Sequence, residues 1–228
     1  MTSEVEAPVE RRTRGYDPAE LTPLQNYKLL CGAVVPRPLA WVSCLSPDGV
    51  PNIAPFSFFT IVSSDPPMLG FSVSKSLVAG KGDKDTLTFV RAHREFVVNI
   101  PCAQVLDELV ITSIEYAPDV DEFAAAGLTP LASERVAVPR IAEAPVNFEC
   151  VLHSAIDLGA STWVMGTVVY AHFREGLVAG DCKPDPLKLR PLGRMPGPTF
   201  TTEMNVVPRA ASLADPELGL ASRVVWQR

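Results

Sequence analysis

Short apolar runs separated by turn signals dominate the hydrophobic pattern of this chain. Residues 39–45 (LAWVSCL) are apolar and β-prone, and Ser46-Pro47-Asp48-Gly49 after them reads as a tight turn. Residues 52–62 (NIAPFSFFTIV) are rich in Phe and β-branched side chains and predict a second strand or a bent strand pair. Asp65-Pro66-Pro67 ends that stretch, and residues 68–73 predict a third strand. Three such pieces joined by short turns predict an antiparallel meander rather than βαβ units.

Further along, the pattern alternates between the two periods. A polar loop at 80–86 precedes LTFVRAHR, where Leu87 and Val90 share one helical face and Asp83 or Asp85 can serve as N-cap. Residues 95–100 (EFVVNI) predict a strand. Residues 103–126 carry acidic residues and alanines at helical spacing, broken by Pro118, and predict two short helices. Residues 146–156 and 162–173 predict long strands joined by a turn around Leu158-Gly159-Ala160. Residues 174–200 read as loop-rich, and 210–228 predict a tail or short terminal helix. Residues 1–20 mix Glu with Arg and predict a flexible arm or a strap on a partner subunit, leaving 21–208 as the folded body. The sum is about six or seven strands with a few helices. A closed or nearly closed barrel with helices outside is the simplest way to hide the strand edges.

Composition sharpens this picture. A chain of 228 residues fits one domain. Its 22 prolines are spread along the whole length, which argues against a long helical bundle. The net charge of −6 argues against a nucleic-acid partner and against docking on anionic lipid. Five cysteines without a CxxC pair fit free thiols in a reducing cytoplasm. No apolar run is long enough for a membrane helix, and no apolar segment follows Arg11-Arg12 as an export signal requires.

Familiar catalytic patterns are missing: no GxSxG, Walker A, HExxH or GxGxxG. The three histidines, His93, His153 and His172, lack metal-site spacing. Glu149 and His153 share a face of one predicted strand and read as a polar pair on its solvent or ligand side. The loop 80–86 places two glycines, two lysines and a threonine before a helix, a composition suited to phosphate, although Asp83 and Asp85 oppose an anion unless they cap the helix. In the 52–59 cluster, alternation sends Asn52, Ala54, Phe56 and Phe58 to one side, and Pro55 predicts a bulge or an edge. Amide, hydroxyl, proline and aromatics together suit a site where backbone approaches a flat ring.

These residues also carry a resemblance. Arg37-Pro38-Leu39-Ala40-Trp41-Val42-Ser43, Asp48-Gly49, the 52–59 cluster, Pro66-Pro67, Lys84-Asp85-Thr86-Leu87 and Phe96-Val97-Val98-Asn99 occur in the order and spacing of the flavin reductase-like family. Asp121-Glu122-Phe123, Gly127-Leu128-Thr129, Glu143-Ala144-Pro145, Glu149-Cys150 and Pro191-Leu192-Gly193-Arg194 continue it, so that it spans about residues 24–205. The chain therefore resembles the FMN-binding split-barrel group of flavoredoxins and reductase components of two-component monooxygenases.

The resemblance implies a mainly β fold with peripheral helices: a six-stranded antiparallel split barrel of Greek-key type, homodimeric, with FMN at the subunit interface. It implies that Asn52, Ala54, Phe56 and Phe58 contact the flavin, that Ser57 with Lys84, Asp85 and Thr86 holds its phosphate, and that Arg37, Pro38 and Arg194 border it. It implies NADH or NADPH as hydride donor, a monooxygenase or other electron acceptor as possible partner, and no catalytic side chain or metal of the protein's own, because the cofactor carries the hard step. Alternatives within the group are a protein that keeps FMN bound and reduces an organic substrate or carries electrons, and a non-catalytic FMN-binding protein. Two positions depart from the pattern: Thr88 and Phe89 stand where relatives often have Asn, and Phe200 stands where they often have Tyr.

Overall fold

The computed structural model describes residues 13–206 apart from 79 and 181. The predicted terminal helix and residues 1–12 of the predicted arm lie outside the described residues. A first helix that the hydrophobic pattern did not announce, α1 (Pro23–Ala33), precedes the strands. Its start is a capping box: Thr22 Oγ1 accepts from the Gln25 N–H, the Gln25 side chain accepts from the Thr22 N–H, and Pro23 takes the first helical position.

The chain then runs through β1 (Arg37–Pro38), β2 (Ala40–Leu45), β3 (Pro51–Phe56), β4 (Phe59–Ser64), β5 (Pro67–Ser74), α2 (Asp85–His93) and β6 (Glu95–Ile100). There follow α3 (Leu106–Ile111), α4 (Glu122–Ala126), β7 (Pro130–Leu131), β8 (Arg140–Ile141), β9 (Val146–Asp157), β10 (Ser161–Phe173), α5 (Pro186–Leu189), β11 (Gly193–Arg194) and β12 (Phe200–Thr201).

The main sheet is antiparallel in the order β3-β2-β6-β9-β10-β5-β4. It has seven strands where the resemblance implies six. The extra strand arises because residues 52–62 bend at Ser57 and Phe58, so that β3 pairs with β2 while β4 pairs with β5. The two edge strands are thus neighbours in sequence, and the sheet curls until they meet at this corner without closing a ladder between them. The Ser72 N–H donates to the Phe58 carbonyl at 2.9 Å and pins the corner.

Inside the curl, Phe56, Phe71 and Phe96 pack ring on ring, with centroids 5.0 and 5.5 Å apart. Val42, Val98, Cys150, Leu152 and Val164 fill the space around them, and α2 closes it with Leu87, Phe89 and Val90. A second apolar layer lies on the other face of β2 and β3, where Trp41 and Ile53 meet Leu109 of α3, Phe123 of α4 and Ile141. Burial on both faces explains why 39–45 is apolar almost throughout rather than alternating. Trp41, fully buried, donates its indole N–H to Thr112 Oγ1 at 2.8 Å and ties the loop after α3 to the barrel wall.

Candidate functional site

An open cleft lies between β3, the start of α2, residues 112–116 and Glu122 at the head of α4. β3 contributes Asn52, Ala54, Pro55 and Phe56, and the loop and first turn of α2 contribute Lys81, Lys84, Asp85 and Thr86. One buried network runs along the floor. The Thr86 hydroxyl donates to Asn52 Oδ1 at 3.1 Å, and Asn52 Nδ2 donates to Glu122 Oε1 at 2.6 Å. The other Glu122 oxygen accepts the Ile53 N–H at 2.8 Å. Burial pushes the Glu122 carboxyl up to about 7; the Ile53 and Asn52 donors pull it back, and Asp85 adds to the rise.

Charges line the mouth. Lys81 Nζ lies 2.5 Å from Asp85, and Lys84 Nζ lies 3.0 Å from Glu115. Glu115 is held below the usual carboxylate range: burial acts to raise it, but donors from Ser76, Lys84 and the Leu77 N–H outweigh that. Neither aspartate expected to cap α2 does so. Lys84 is the N-cap residue and makes no side-chain cap, because Asp83 turns to Lys75 and Arg91 while Asp85 takes Lys81. The first backbone N–H groups of α2 are thereby left without a side-chain cap at the cleft.

Of the residues singled out in the sequence, Asn52, Ala54, Phe56, Lys84, Asp85 and Thr86 come together here. The others gather on the far side of the 57–58 corner. Arg37 is buried and donates to the Cys31 carbonyl at 2.7 Å, the Met195 carbonyl at 3.3 Å and Ser57 Oγ at 3.4 Å. Ser57 therefore faces Arg37, and it is not among the residues lining the cleft. Pro38 and Arg37 pair in register with Gly193 and Arg194 of β11. The Arg194 guanidinium lies 4.5 Å over the Phe200 ring, so the phenylalanine at this departure from the family pattern offers a cation–π face. Phe58 is half-exposed and stacks on Tyr27 of α1 at 6.4 Å. At the other departure, Phe89 points into the barrel core and Thr88 is exposed, so neither lines the cleft.

Glu149 and His153 do not form a pair. Glu149 is fully buried and accepts from the N–H groups of Glu134, Arg135 and Val136 and from His172 on β10, 2.6 Å away, while His153 is exposed. This carboxylate anchors the 134–136 loop. Among the described residues no group of three His, Cys, Asp or Glu side chains is placed to hold a metal, and no helix is long and apolar enough to cross a membrane. All five cysteines are free, and four are buried.

Glu122 and Glu115 were not singled out as site residues from the sequence, and Lys81 entered only as one of the two lysines of the loop 80–86. Asp121 does mark the start of α4, since its carboxylate accepts the N–H groups of Phe123 and Ala124. Nothing local shows that Glu122 then turns inward to β3.

Comparison with known proteins shows the family and the fold. The profile of the flavin reductase like domain matches residues 32–187. A protein of uncharacterized function from Aquifex aeolicus is 41% identical over 174 residues, 75% of this chain and 86% of that protein. The structure of nitrilotriacetate monooxygenase component B from Bacillus cereus is similar at 34% identity and TM-score 0.83, covering 87% of this chain and 100% of that one. The structure of 2-nitrobenzoate 2-nitroreductase from Pseudomonas fluorescens is similar at 30% identity and TM-score 0.77, covering 88% of this chain and 98% of that one.

Proposed function

The chain belongs to the flavin reductase-like family, and we propose that it is an FMN-binding oxidoreductase that passes hydride from NADH or NADPH to the flavin. The cleft carries this reading. It combines two lysines, an uncapped helix start, an amide and an apolar wall along β3. That donor set suits a phosphorylated flat ring: ammonium groups and helix N–H groups for the phosphate, and apolar surface for the ring. A bound flavin supplies the hydride-accepting atom. The protein's own residues bind, orient and exclude water.

In this reading Lys84 and Thr86 hold the phosphate. Asn52 keeps one amide hydrogen beyond the one given to Glu122 and offers it to the flavin's polar edge. Ala54, Pro55 and Phe56 form the wall on which the ring lies. Ser57, Phe58, Arg37, Pro38 and Arg194 border the flavin from the far side of the corner.

The protein works as a homodimer in this reading. The edge strand β4 exposes Ile61 at 74%, and Phe58 and α1 residues Tyr27 and Leu30 are exposed near the same corner. A second subunit over this region would cover an unpaired edge and an apolar surface together. A reducing cytoplasm suits the free thiols.

Likeness to a monooxygenase component favours release of reduced FMN to a separate acceptor. Likeness to a nitroreductase favours a second reading, in which FMN stays bound and an organic substrate is reduced in place. Purified protein and turnover kinetics separate them. Colourless protein with saturable dependence on added FMN supports the first reading, whereas yellow protein whose turnover ignores added FMN supports the second. Protein that neither binds FMN nor speeds nicotinamide oxidation contradicts both.

A further inference from the structure

Both lysines at the cleft are already paired, and the two pairs differ in kind. Asp85 lies one turn from Lys81 on the same segment, in the first turn of α2, where the helix favours an acidic side chain. Glu115 comes from a separate element, the loop after α3, and crosses to the mouth of the cleft. Its two oxygens collect three donors: the Ser76 hydroxyl at 2.5 Å, the Leu77 N–H at 3.4 Å and Lys84 Nζ at 3.0 Å. A hydroxyl, a backbone N–H and an ammonium converging on one anionic group are the donors a phosphate uses. The Glu115 side chain is 20% exposed and lines the open cleft, so it has solvent on one side. A dianion entering beside Lys84 would otherwise meet Glu115 as a like charge at close range.

Resting on the flavin reading above, we propose that Glu115 is an internal stand-in for the flavin phosphate: FMN binds by displacing its carboxylate from Ser76, Leu77 and Lys84, and Glu115 thereby sets how strongly the site prefers FMN over riboflavin. No bond is made or broken in the exchange; one anion replaces another on the same donors. The displaced carboxylate opposes FMN and is indifferent to riboflavin, which lacks the phosphate.

The test is the pair of dissociation constants for FMN and riboflavin, measured by flavin fluorescence on the full-length protein, for wild type, Glu115→Gln and Glu115→Ala. Both variants should tighten FMN about tenfold, the scale of one part-exposed charge-assisted contact, and leave riboflavin within about twofold. The alanine variant guards against glutamine donating to the phosphate itself, and circular dichroism confirms the fold of each. An unchanged FMN-to-riboflavin affinity ratio, or a lower one in either folded variant, overturns the proposal while leaving the flavin reading intact. Wild-type protein that binds neither flavin overturns the flavin reading and this proposal with it.

Discussion

Replacing Glu122 with glutamine should make the protein more stable at neutral and alkaline pH, although the wild-type carboxylate accepts two hydrogen bonds. Glu122 is 4% exposed and receives the Asn52 amide at 2.6 Å and the Ile53 N–H at 2.8 Å. Around it stand Thr86 and Cys44, which both bond to Asn52, and the charges of Asp85 and Lys81. Burial is the largest influence and lifts its carboxyl from 4.5 to about 7. A native value above the unfolded one means that the folded state binds the extra proton across that interval. Stability is therefore fully present below the unfolded value and is lost as pH rises through the native one.

The rise is roughly 2.5 units, and at about 1.36 kcal/mol per unit it corresponds to about 3 kcal/mol in total. Glutamine is neutral throughout and resembles the protonated acid in having one accepting oxygen. Urea unfolding of wild type and Glu122→Gln, at fixed protein concentration from about pH 5 to about pH 8, isolates the difference. The variant should gain about 2 kcal/mol on the wild type over that range, most of it before about pH 7. A stability difference that does not change with pH, or a wild type that gains on the variant as pH rises, refutes the reasoning.

Three further outcomes follow from the same structure. Lys84→Ala should weaken FMN about tenfold while leaving riboflavin nearly unchanged if, as proposed, the lysine serves the phosphate alone; equal weakening of both flavins would place the phosphate elsewhere. Gly166→Ala should lower stability by about 1–3 kcal/mol in urea unfolding, because a Cβ there would lie 2.3 Å from Phe96 Cζ in the barrel core; an unchanged midpoint would contradict that packing. Sedimentation should show a dimer that holds flavin, and a monomer with full flavin occupancy would remove the second subunit from the site.

The strands that build the barrel were legible because their signals are local. The runs at 39–45, 95–100, 146–156 and 162–173 fall on β2, β6, β9 and β10, and the turn at 158–160 joins the last two. The bend inside 52–62 was readable as a bent pair, but the count of seven strands follows from which neighbour each half finds across the sheet. α1 carried a readable signal, Thr22 with Gln25 and a proline between them, that hydrophobic periodicity alone passes over. Half of the candidate site was equally local: Asn52, Ala54 and Phe56 on one strand, Lys84 and Thr86 at one helix start. The other half depends on long-range register. Arg37 meets Arg194 because β1 pairs with β11, and Glu149 finds His172 on the adjoining strand rather than His153 on its own. Glu122 and Glu115 reach the cleft from elements that no periodicity connects to β3 or α2.

Anaerobic titration shows whether this cleft lets the protein reduce FMN with a nicotinamide. Protein and FMN are mixed without oxygen, NADH or NADPH is added, and the visible absorbance of the flavin is followed beside a protein-free control. At least one of the two donors should bleach it, one flavin for each nicotinamide oxidised, at a rate far above the control and sharply reduced in Lys84→Ala at subsaturating FMN. Flavin that binds the protein yet stays oxidised with both donors would contradict it.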